Sequence, residues 1–184
     1  MGGELPKDLI LRLKKFGSVE TFVETGTYRG DTAIWASEEF SKVITIERAA
    51  QLYNQLLSSY EKLYPNIVFL YGDSGKLLGE ISWLMDHPTI FWLDAHYSGG
   101  DTVGADYECP LLKELECIVD YSCEHYILID DAHMFLNTPP SPHNPSQWPS
   151  FTEIQAILDR RDYTITVLKD VIVAVPEATL GEVH

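Results

Sequence analysis

Two apolar segments of the sequence each lead into aspartates that a histidine follows two positions later. The residues concerned are Asp94 and His96 after Thr89–Leu93, and Asp130, Asp131 and His133 after Tyr126–Ile129. Imidazole titrates near neutral pH, so His96 and His133 are candidate general bases, with Asp94 and Asp131 as their catalytic partners. Carboxylates held close together repel one another, and a divalent cation or a cationic ligand relieves that repulsion. The pattern therefore predicts a catalytic or metal-binding cluster, in which Asp94, Asp130 and Asp131 would bind Mg²⁺ or Mn²⁺.

Each of these residues also has an ordinary structural interpretation. Asp130 or Asp131 could cap a following turn, His133 could point to solvent, and Asp94 could contact a bound ligand without taking part in chemistry. For the cluster as a whole we favour a functional role, because the same pattern follows two segments that would be neighbours in a parallel sheet.

A glycine turn earlier in the chain indicates a ligand site. The apolar segment Thr21–Val23 runs into Gly26 and Gly30, and a helix is predicted to begin at Asp31. Glycines let a backbone approach a ligand closely, and a helix N-terminus offers free N–H groups. A dinucleotide fingerprint requires Gly-x-Gly-x-x-Gly, whereas the spacing here is Gly-x-x-x-Gly. Glu24, just before the turn, would repel a pyrophosphate and attract an ammonium group.

A carboxylate also follows the next apolar segment. Val43–Ile46 ends on Glu47, seventeen residues after Gly30. An acid at the tip of a second strand can accept hydrogen bonds from both hydroxyls of a ribose. The turn and Glu47 together predict a site for a ligand that contains a nucleoside and no phosphate.

The segment Glu24-Thr-Gly-Thr-Tyr-Arg-Gly30 resembles the first motif of class I S-adenosylmethionine-dependent methyltransferases, an acid followed by Gly-x-Gly-x-Gly or a degenerate form. Tyr28 stands where the middle glycine of that motif would be. The methyl donor S-adenosylmethionine carries an ammonium group and a positive sulfonium, which suit an acid-led turn. The resemblance implies that the donor is bound by Glu24, Thr25, Gly26, Thr27, Gly30, Glu47, Asp73, Ser74 and Asp94.

Asp73 is included because the family often has an acid at the end of the third strand, where it holds the adenine amino group beside the backbone of the next residue. The alternative is that Asp73 is simply the N-cap of the helix that follows. Some members bind magnesium with acids at strand ends, which would orient an acceptor hydroxyl.

Alternating strands and helices must position these residues. We expect strands near 20–24, 43–47, 67–71, 89–94 and 125–130, and helices near 31–40, 49–63, 74–85, 109–121 and 151–160. The segments Tyr163–Leu168 and Val171–Val175 are separated by only two residues, which allow a hairpin and not a parallel crossover. The predicted fold is α/β: a doubly wound, mostly parallel sheet with helices on both faces and a C-terminal antiparallel hairpin strand.

Length and composition limit the classes of protein. The 184 residues fit one Rossmann-like domain, 1–184, with a helical extension over 1–18. The net charge of −15 argues against nucleic acid as a partner. No apolar run approaches the length of a membrane helix, the N-terminus lacks a secretory signal, and three cysteines without metal spacing suit reduced thiols. We therefore expect a cytoplasmic protein that acts on a small-molecule acceptor.

The leading hypothesis is a methyltransferase that O-methylates a small hydroxylated metabolite with help from a metal ion. The loops Tyr97–Glu108 and Asn137–Ser150 would be lids or surface connections, and they or a second subunit of a homo-oligomer would complete the acceptor pocket. One alternative is a metal-dependent hydrolase that uses the cluster of aspartates and histidines. Another is a non-catalytic relative that binds an adenosine ligand.

Overall fold

A seven-stranded sheet organises the part of the chain that the structure describes. The computed structural model describes residues 5–82, 86–96 and 107–183. The strand order is β3-β2-β1-β4-β5-β7-β6, with β7 antiparallel to both of its neighbours and the other pairs parallel. The strands are β1 (Thr21–Thr25), β2 (Lys42–Glu47), β3 (Ile67–Tyr71), β4 (Thr89–Leu93), β5 (Tyr126–Ile129), β6 (Tyr163–Leu168) and β7 (Val171–Pro176).

Helices connect the strands and cover both faces of the sheet, which confirms the predicted fold class. None of the described helices is long and apolar enough to cross a membrane. The helices are α1 (Lys7–Gly17), α2 (Asp31–Glu39), α3 (Ala50–Tyr60), α4 (Ser74–Glu80), α5 (Leu111–Val119), α6 (Ala132–Leu136), α7 (Phe151–Leu158) and α8 (Leu180–Val183).

The central strands are apolar along their whole length because helices bury both of their faces. On one face, the side chains of Val23, Phe91 and Ile127 pack with residues of α4, α5 and α7. On the other face, Phe22 packs with residues of α1, α2 and α3, among others. The edge strand β3 instead alternates, and its Val68 is 40% exposed. Burial on both faces explains why the sequence shows continuous apolar runs at β1, β2, β4 and β5.

The structure refines several element boundaries. The predicted hairpin forms between β6 and β7, and Lys169 in its two-residue turn has a φ of 54°. Most helices are a few residues shorter than expected, and the far end of the helix predicted over 74–85 lies partly outside the described residues. The short helix α6 has no counterpart among the predicted elements, because five residues give too little periodicity to recognise.

Helix α1 is packed into the core. Leu9, Ile10 and Leu13 lie on its buried side, within the same apolar cluster as Phe22. The segment predicted as an extension thus supplies part of the core on one face of the sheet. None of the three cysteines forms a disulfide bond.

The strand order creates the place where a site can form. Strands β1 and β4 are neighbours, yet the chain leaves them for opposite sides of the sheet, so a crevice opens between the loops that follow them. The parallel strands β1 to β5 all end at this edge. Every predicted site residue lies at this edge or in the first turn of the helix that follows it.

Candidate active site

The glycine turn is part of the packing between β1 and β4. Gly26 donates its N–H to the carbonyl of Ile46 at 2.9 Å and has a φ of +84°. A Cβ at this position would lie 2.3 Å from the carbonyl oxygen of Asp94. The sequence suggested that glycine leaves space for a ligand, but the nearest atoms to that missing Cβ are the backbone of the neighbouring strand end. Gly26 is therefore required to bring the turn against Asp94.

Gly26→Ala is accordingly expected to lower the free energy of unfolding. A left-handed φ costs a non-glycine residue about 1–3 kcal/mol, and the contact with Asp94 adds to this. Gly181→Ala is the matched control, because a Cβ there meets nothing within 4 Å. Urea denaturation of both variants measures the difference, and equal stability would show that the turn adapts to a side chain.

The rest of the turn is shaped for the start of α2. Gly30 is the N-cap residue with a φ of +85°, and a Cβ there would approach Leu56 Cδ2 to 2.9 Å. Tyr28 also has a positive φ, 49°, and its side chain is 46% exposed. The middle position of the motif thus has the left-handed backbone that glycine favours, although tyrosine occupies it.

Glu24 lies beneath the turn and is only 2% exposed. It accepts a hydrogen bond from Thr45 Oγ1 at 2.7 Å, and Thr45 in turn contacts Thr27 Oγ1 at 2.6 Å. Burial raises the pKa of Glu24 to about 8. Without a cation nearby, Glu24 is therefore mostly protonated at neutral pH, contrary to the free carboxylate that we expected. An ammonium group bound close to it would favour the ionised form.

Glu47 holds the turn against the end of β2. One of its carboxylate oxygens accepts the N–H of Tyr28 at 2.9 Å, and the other accepts the N–H of Ala49 at 2.7 Å. Each carboxylate oxygen can accept two hydrogen bonds, so one acceptor position on each remains for ligand hydroxyls. The two backbone contacts orient the carboxylate before any ligand arrives.

Asp73 and Ser74 begin α4 at the end of β3. Asp73 occupies the N-cap position, but its side chain makes no capping hydrogen bond with the described residues. Its Oδ1 is buried and has no hydrogen-bond partner in the described parts of the chain. The capping alternative therefore does not account for this carboxylate. Ser74 is buried, and its hydroxyl opposes the rise in the pKa of Glu114 of α5.

A histidine lies between two carboxylates where β4 and β5 end. His96 Nε2 is 2.8 Å from Asp131 Oδ2, and His96 Nδ1 is 3.6 Å from Asp94 Oδ1. Burial lowers the pKa of His96. Its hydrogen bond to Asp131 and the charge of Asp94 raise the pKa by more than burial lowers it, so the net shift is upward. The same hydrogen bond holds the pKa of Asp131 below its usual range. An imidazole that takes up a proton at this position would relieve the repulsion that the sequence argument assigned to a metal ion.

Asp94 is the carboxylate of this cluster that solvent reaches most readily. Its side chain is 35% exposed, against 14% for Asp131 and 6% for His96. Loss of hydration and the charges of Asp130 and Asp131 raise the pKa of Asp94 to about 7, despite the opposing effect of His96. A carboxylate with a pKa near the working pH can accept a proton efficiently.

The three carboxylates predicted as metal ligands do not bring their oxygens within 4.8 Å of one another. Within the described residues, the ligand atoms that lie within 4.8 Å of one another come from Asp131, His133 and Asp170. Asp170 belongs to the hairpin turn, and its carboxylate is 2.7 Å from His133 Nδ1. Asp130 is only 3% exposed, and burial raises its pKa to about 6. His133 thus pairs with the hairpin turn and Asp130 is buried, whereas the sequence suggested that both belong to one cluster with Asp94 and Asp131. The direction in which the backbone leaves a strand decides this, and that direction is not visible in the sequence.

The loop Asn137–Ser150 forms a wall of the site. Trp148 packs against the ring of His96 at 5.3 Å between centroids and is 7% exposed. Glu108 holds Trp148 in place, because its Oε2 accepts the indole N–H at 2.6 Å. Glu108 Oε1 also accepts the N–H of Asn144 at 3.0 Å. Of the loop Tyr97–Glu108, residues 97–106 lie outside the described residues.

Glu108 and Glu114 are residues that our interpretation of the sequence missed. Glu114 had a visible signal, because it occupies an apolar position of the amphipathic pattern in α5. Glu108 had none: an acid next to a proline-containing segment is ordinary in a loop. Only the meeting of the two loops in space reveals its contact with Trp148.

Solved methyltransferase structures share this architecture. A Staphylococcus aureus protein assigned as a caffeoyl-CoA O-methyltransferase matches with a TM-score of 0.63 at 16% identity, over 95% of this chain and 84% of that one. An O-methyltransferase from Bacillus cereus in complex with S-adenosylhomocysteine gives 0.62 at 15%, over 94% and 82%. TomG from Streptomyces achromogenes, an O-methyltransferase in complex with S-adenosylmethionine, gives 0.61 at 15%, over 95% and 81%.

No protein-family model matches the sequence, and no curated protein matches it. At such low identities the likeness establishes architecture. The chain has the class I S-adenosylmethionine-dependent methyltransferase fold, as the glycine turn and the order of elements predicted.

Proposed function

We propose that this protein is an S-adenosylmethionine-dependent methyltransferase that methylates a hydroxyl oxygen of a small acceptor. The observation that carries the proposal is the contact between Gly26 and the end of β4. This contact brings the glycine turn, which lies between the side chains of Glu24 and Glu47, directly against Asp94. The turn is therefore next to His96 and Asp131. A donor held by the turn would present its reactive end to these groups.

The residues around the turn suit the donor. Glu47 keeps acceptor positions for ribose hydroxyls, and Asp73 Oδ1 is a buried acceptor without a partner among the described residues. Glu24 could pair with the donor's ammonium group and lose its proton in doing so. When bound, the donor supplies a methyl group activated by a positive sulfur.

The remaining groups would prepare the acceptor. Asp94 can take the proton from the acceptor hydroxyl, because it is the most exposed carboxylate of the cluster. His96, held by Asp131, stabilises the charge of Asp94 and keeps it in place. Trp148 shields the imidazole from water on one side. Alignment of acceptor and donor would supply much of the remaining acceleration.

Oxygen as the reacting atom is supported by the three similar solved structures, since each is described as an O-methyltransferase. Among the described residues, Asp94, Asp130 and Asp131 do not bring ligand atoms within 4.8 Å of one another, so no step is assigned to a metal ion. The hydrolase alternative required Asp94, His96, Asp130, Asp131 and His133 to act with a metal ion, and the described residues contain no group of that composition. The non-catalytic alternative would leave unexplained why Asp94, His96 and Asp131 adjoin the turn.

Calorimetric titration tests the proposal. The protein should bind S-adenosylhomocysteine in the micromolar range and NAD at least ~100-fold more weakly, because the turn lacks the Gly-x-Gly-x-x-Gly spacing that receives a pyrophosphate. Binding should also raise the melting temperature, since the ligand binds only the folded state. Tighter binding of NAD would refute the proposal.

A second measurement tests whether Asp131, His133 and Asp170 hold a cation. The melting temperatures of the unmodified protein and of Asp131→Asn are compared with and without Mg²⁺ or Mn²⁺.

A further inference from the structure

Glu114 is a carboxylate in the middle of an apolar helix face. It lies on the side of α5 that packs against the sheet and is 1% exposed. The other buried residues of this face are Leu111, Leu115, Ile118 and Val119. A leucine at position 114 would continue the apolar pattern without a polar group to satisfy.

Glu114 reaches two elements of the site through hydroxyl groups. The Ser74 and Thr25 hydroxyls each lie close enough to its carboxylate to oppose the rise in its pKa. Thr25 is the last residue of β1, directly before Gly26, and its Oγ1 also accepts the N–H of Asp94 at 3.3 Å. Ser74 is the first residue of α4, directly after Asp73. One carboxylate thus links the ends of β1 and β4 with the start of α4.

This arrangement does not favour stability. Glu114 Oε1 is buried and has no hydrogen-bond partner in the described parts of the chain. Burial raises the pKa of Glu114 to about 7, which reflects the cost of its charged form. Replacement of a buried charged network by apolar residues is often neutral or stabilising. A buried carboxylate that lowers the stability of the core in this way is best explained by a role in the site.

We propose that Glu114 is a positioning residue of the donor site, which holds Thr25 and Ser74 so that the glycine turn and the Asp73 loop keep the spacing that the donor requires. The inference rests on the proposed function. Glu114 itself need not touch the donor, because its two hydroxyl contacts lie directly beside Gly26 and Asp73.

The test compares stability with donor binding in three variants. Glu114→Leu removes both hydroxyl contacts and fills the apolar position. Glu114→Gln keeps an oxygen that can accept from both hydroxyls, and Glu116→Gln removes the same charge from an exposed position of the same helix. Melting temperature and S-adenosylhomocysteine affinity are measured for each and for the unmodified protein.

We expect Glu114→Leu to melt about 2–4 °C higher and to bind S-adenosylhomocysteine roughly 10- to 100-fold more weakly. Glu114→Gln and Glu116→Gln should bind within about 3-fold of the unmodified protein, since loss of charge alone leaves the two hydroxyl contacts in place. A residue retained for folding would instead lose stability on change to leucine and keep its affinity.

Unchanged affinity in Glu114→Leu, or equally weak binding in Glu114→Gln, would overturn the inference while leaving the proposed function intact. If the unmodified protein does not bind S-adenosylhomocysteine, both are overturned. Should Glu114→Leu fail to fold, Glu114→Met, whose unbranched side chain is close to glutamate in length, decides the question. Weaker binding by that variant supports the positioning role, and unchanged binding overturns it.

Discussion

Asp94→Asn is expected to lower the turnover of methyl transfer by ~10²–10⁴-fold, the usual contribution of a general base. Asparagine has the shape of aspartate but cannot accept the acceptor's proton, so S-adenosylhomocysteine affinity should stay within about 3-fold. Rates are measured as S-adenosylhomocysteine release with a panel of small phenols and sugars. In the unmodified protein the rate should rise with pH through about 7, because only the ionised carboxylate of Asp94 accepts a proton.

Two comparisons make this result specific. Asp86→Asn removes a carboxylate that is largely exposed in a loop before β4, and it should leave turnover unchanged. His96→Gln should lower turnover less than Asp94→Asn does, because His96 acts on the acceptor only through Asp94. If His96→Gln has the larger effect, the imidazole is the base and the assignment of the two roles is reversed.

Glu47→Ala is expected to weaken donor binding by ~100-fold or more. Hydrogen bonds to a charged group contribute about 1.5–3 kcal/mol each, and two ribose hydroxyls would be lost as partners. The variant also removes the acceptors for Tyr28 N–H and Ala49 N–H, so the turn loses its attachment to β2. Calorimetry with S-adenosylhomocysteine measures the loss directly.

Glu61→Ala is the control for this variant, since it removes an exposed acid that follows α3. It should bind the donor as the unmodified protein does. The donor affinity of Glu47→Gln should lie between those of Glu47→Ala and Glu61→Ala, because its amide oxygen can accept from one backbone N–H only. Affinity within a few-fold of the unmodified protein in Glu47→Ala would show that the ribose lies elsewhere.

The sequence alone was sufficient for the architecture. Continuous apolar runs at 43–47 and 89–94 indicated strands buried on both faces, and helices between them required parallel pairing. The two residues between Tyr163–Leu168 and Val171–Val175 allowed only a hairpin. These features depend on neighbours in the chain, so periodicity and turn length reveal them. The acids Glu24, Glu47 and Asp73 were recognisable for the same reason, because each lies within two residues of the end of its strand.

Tertiary structure alone decided what the site residues contact. The sequence placed Asp94, Asp130 and Asp131 at adjacent strand ends, but it could not show that His96 lies between Asp94 and Asp131 in place of a cation. Nor could it show that the Cβ missing from Gly26 would meet the Asp94 carbonyl. Such contacts join residues tens of positions apart, and they depend on the angle at which each loop leaves its strand. Local sequence patterns do not encode that angle, because the packing of the whole sheet and its helices sets it.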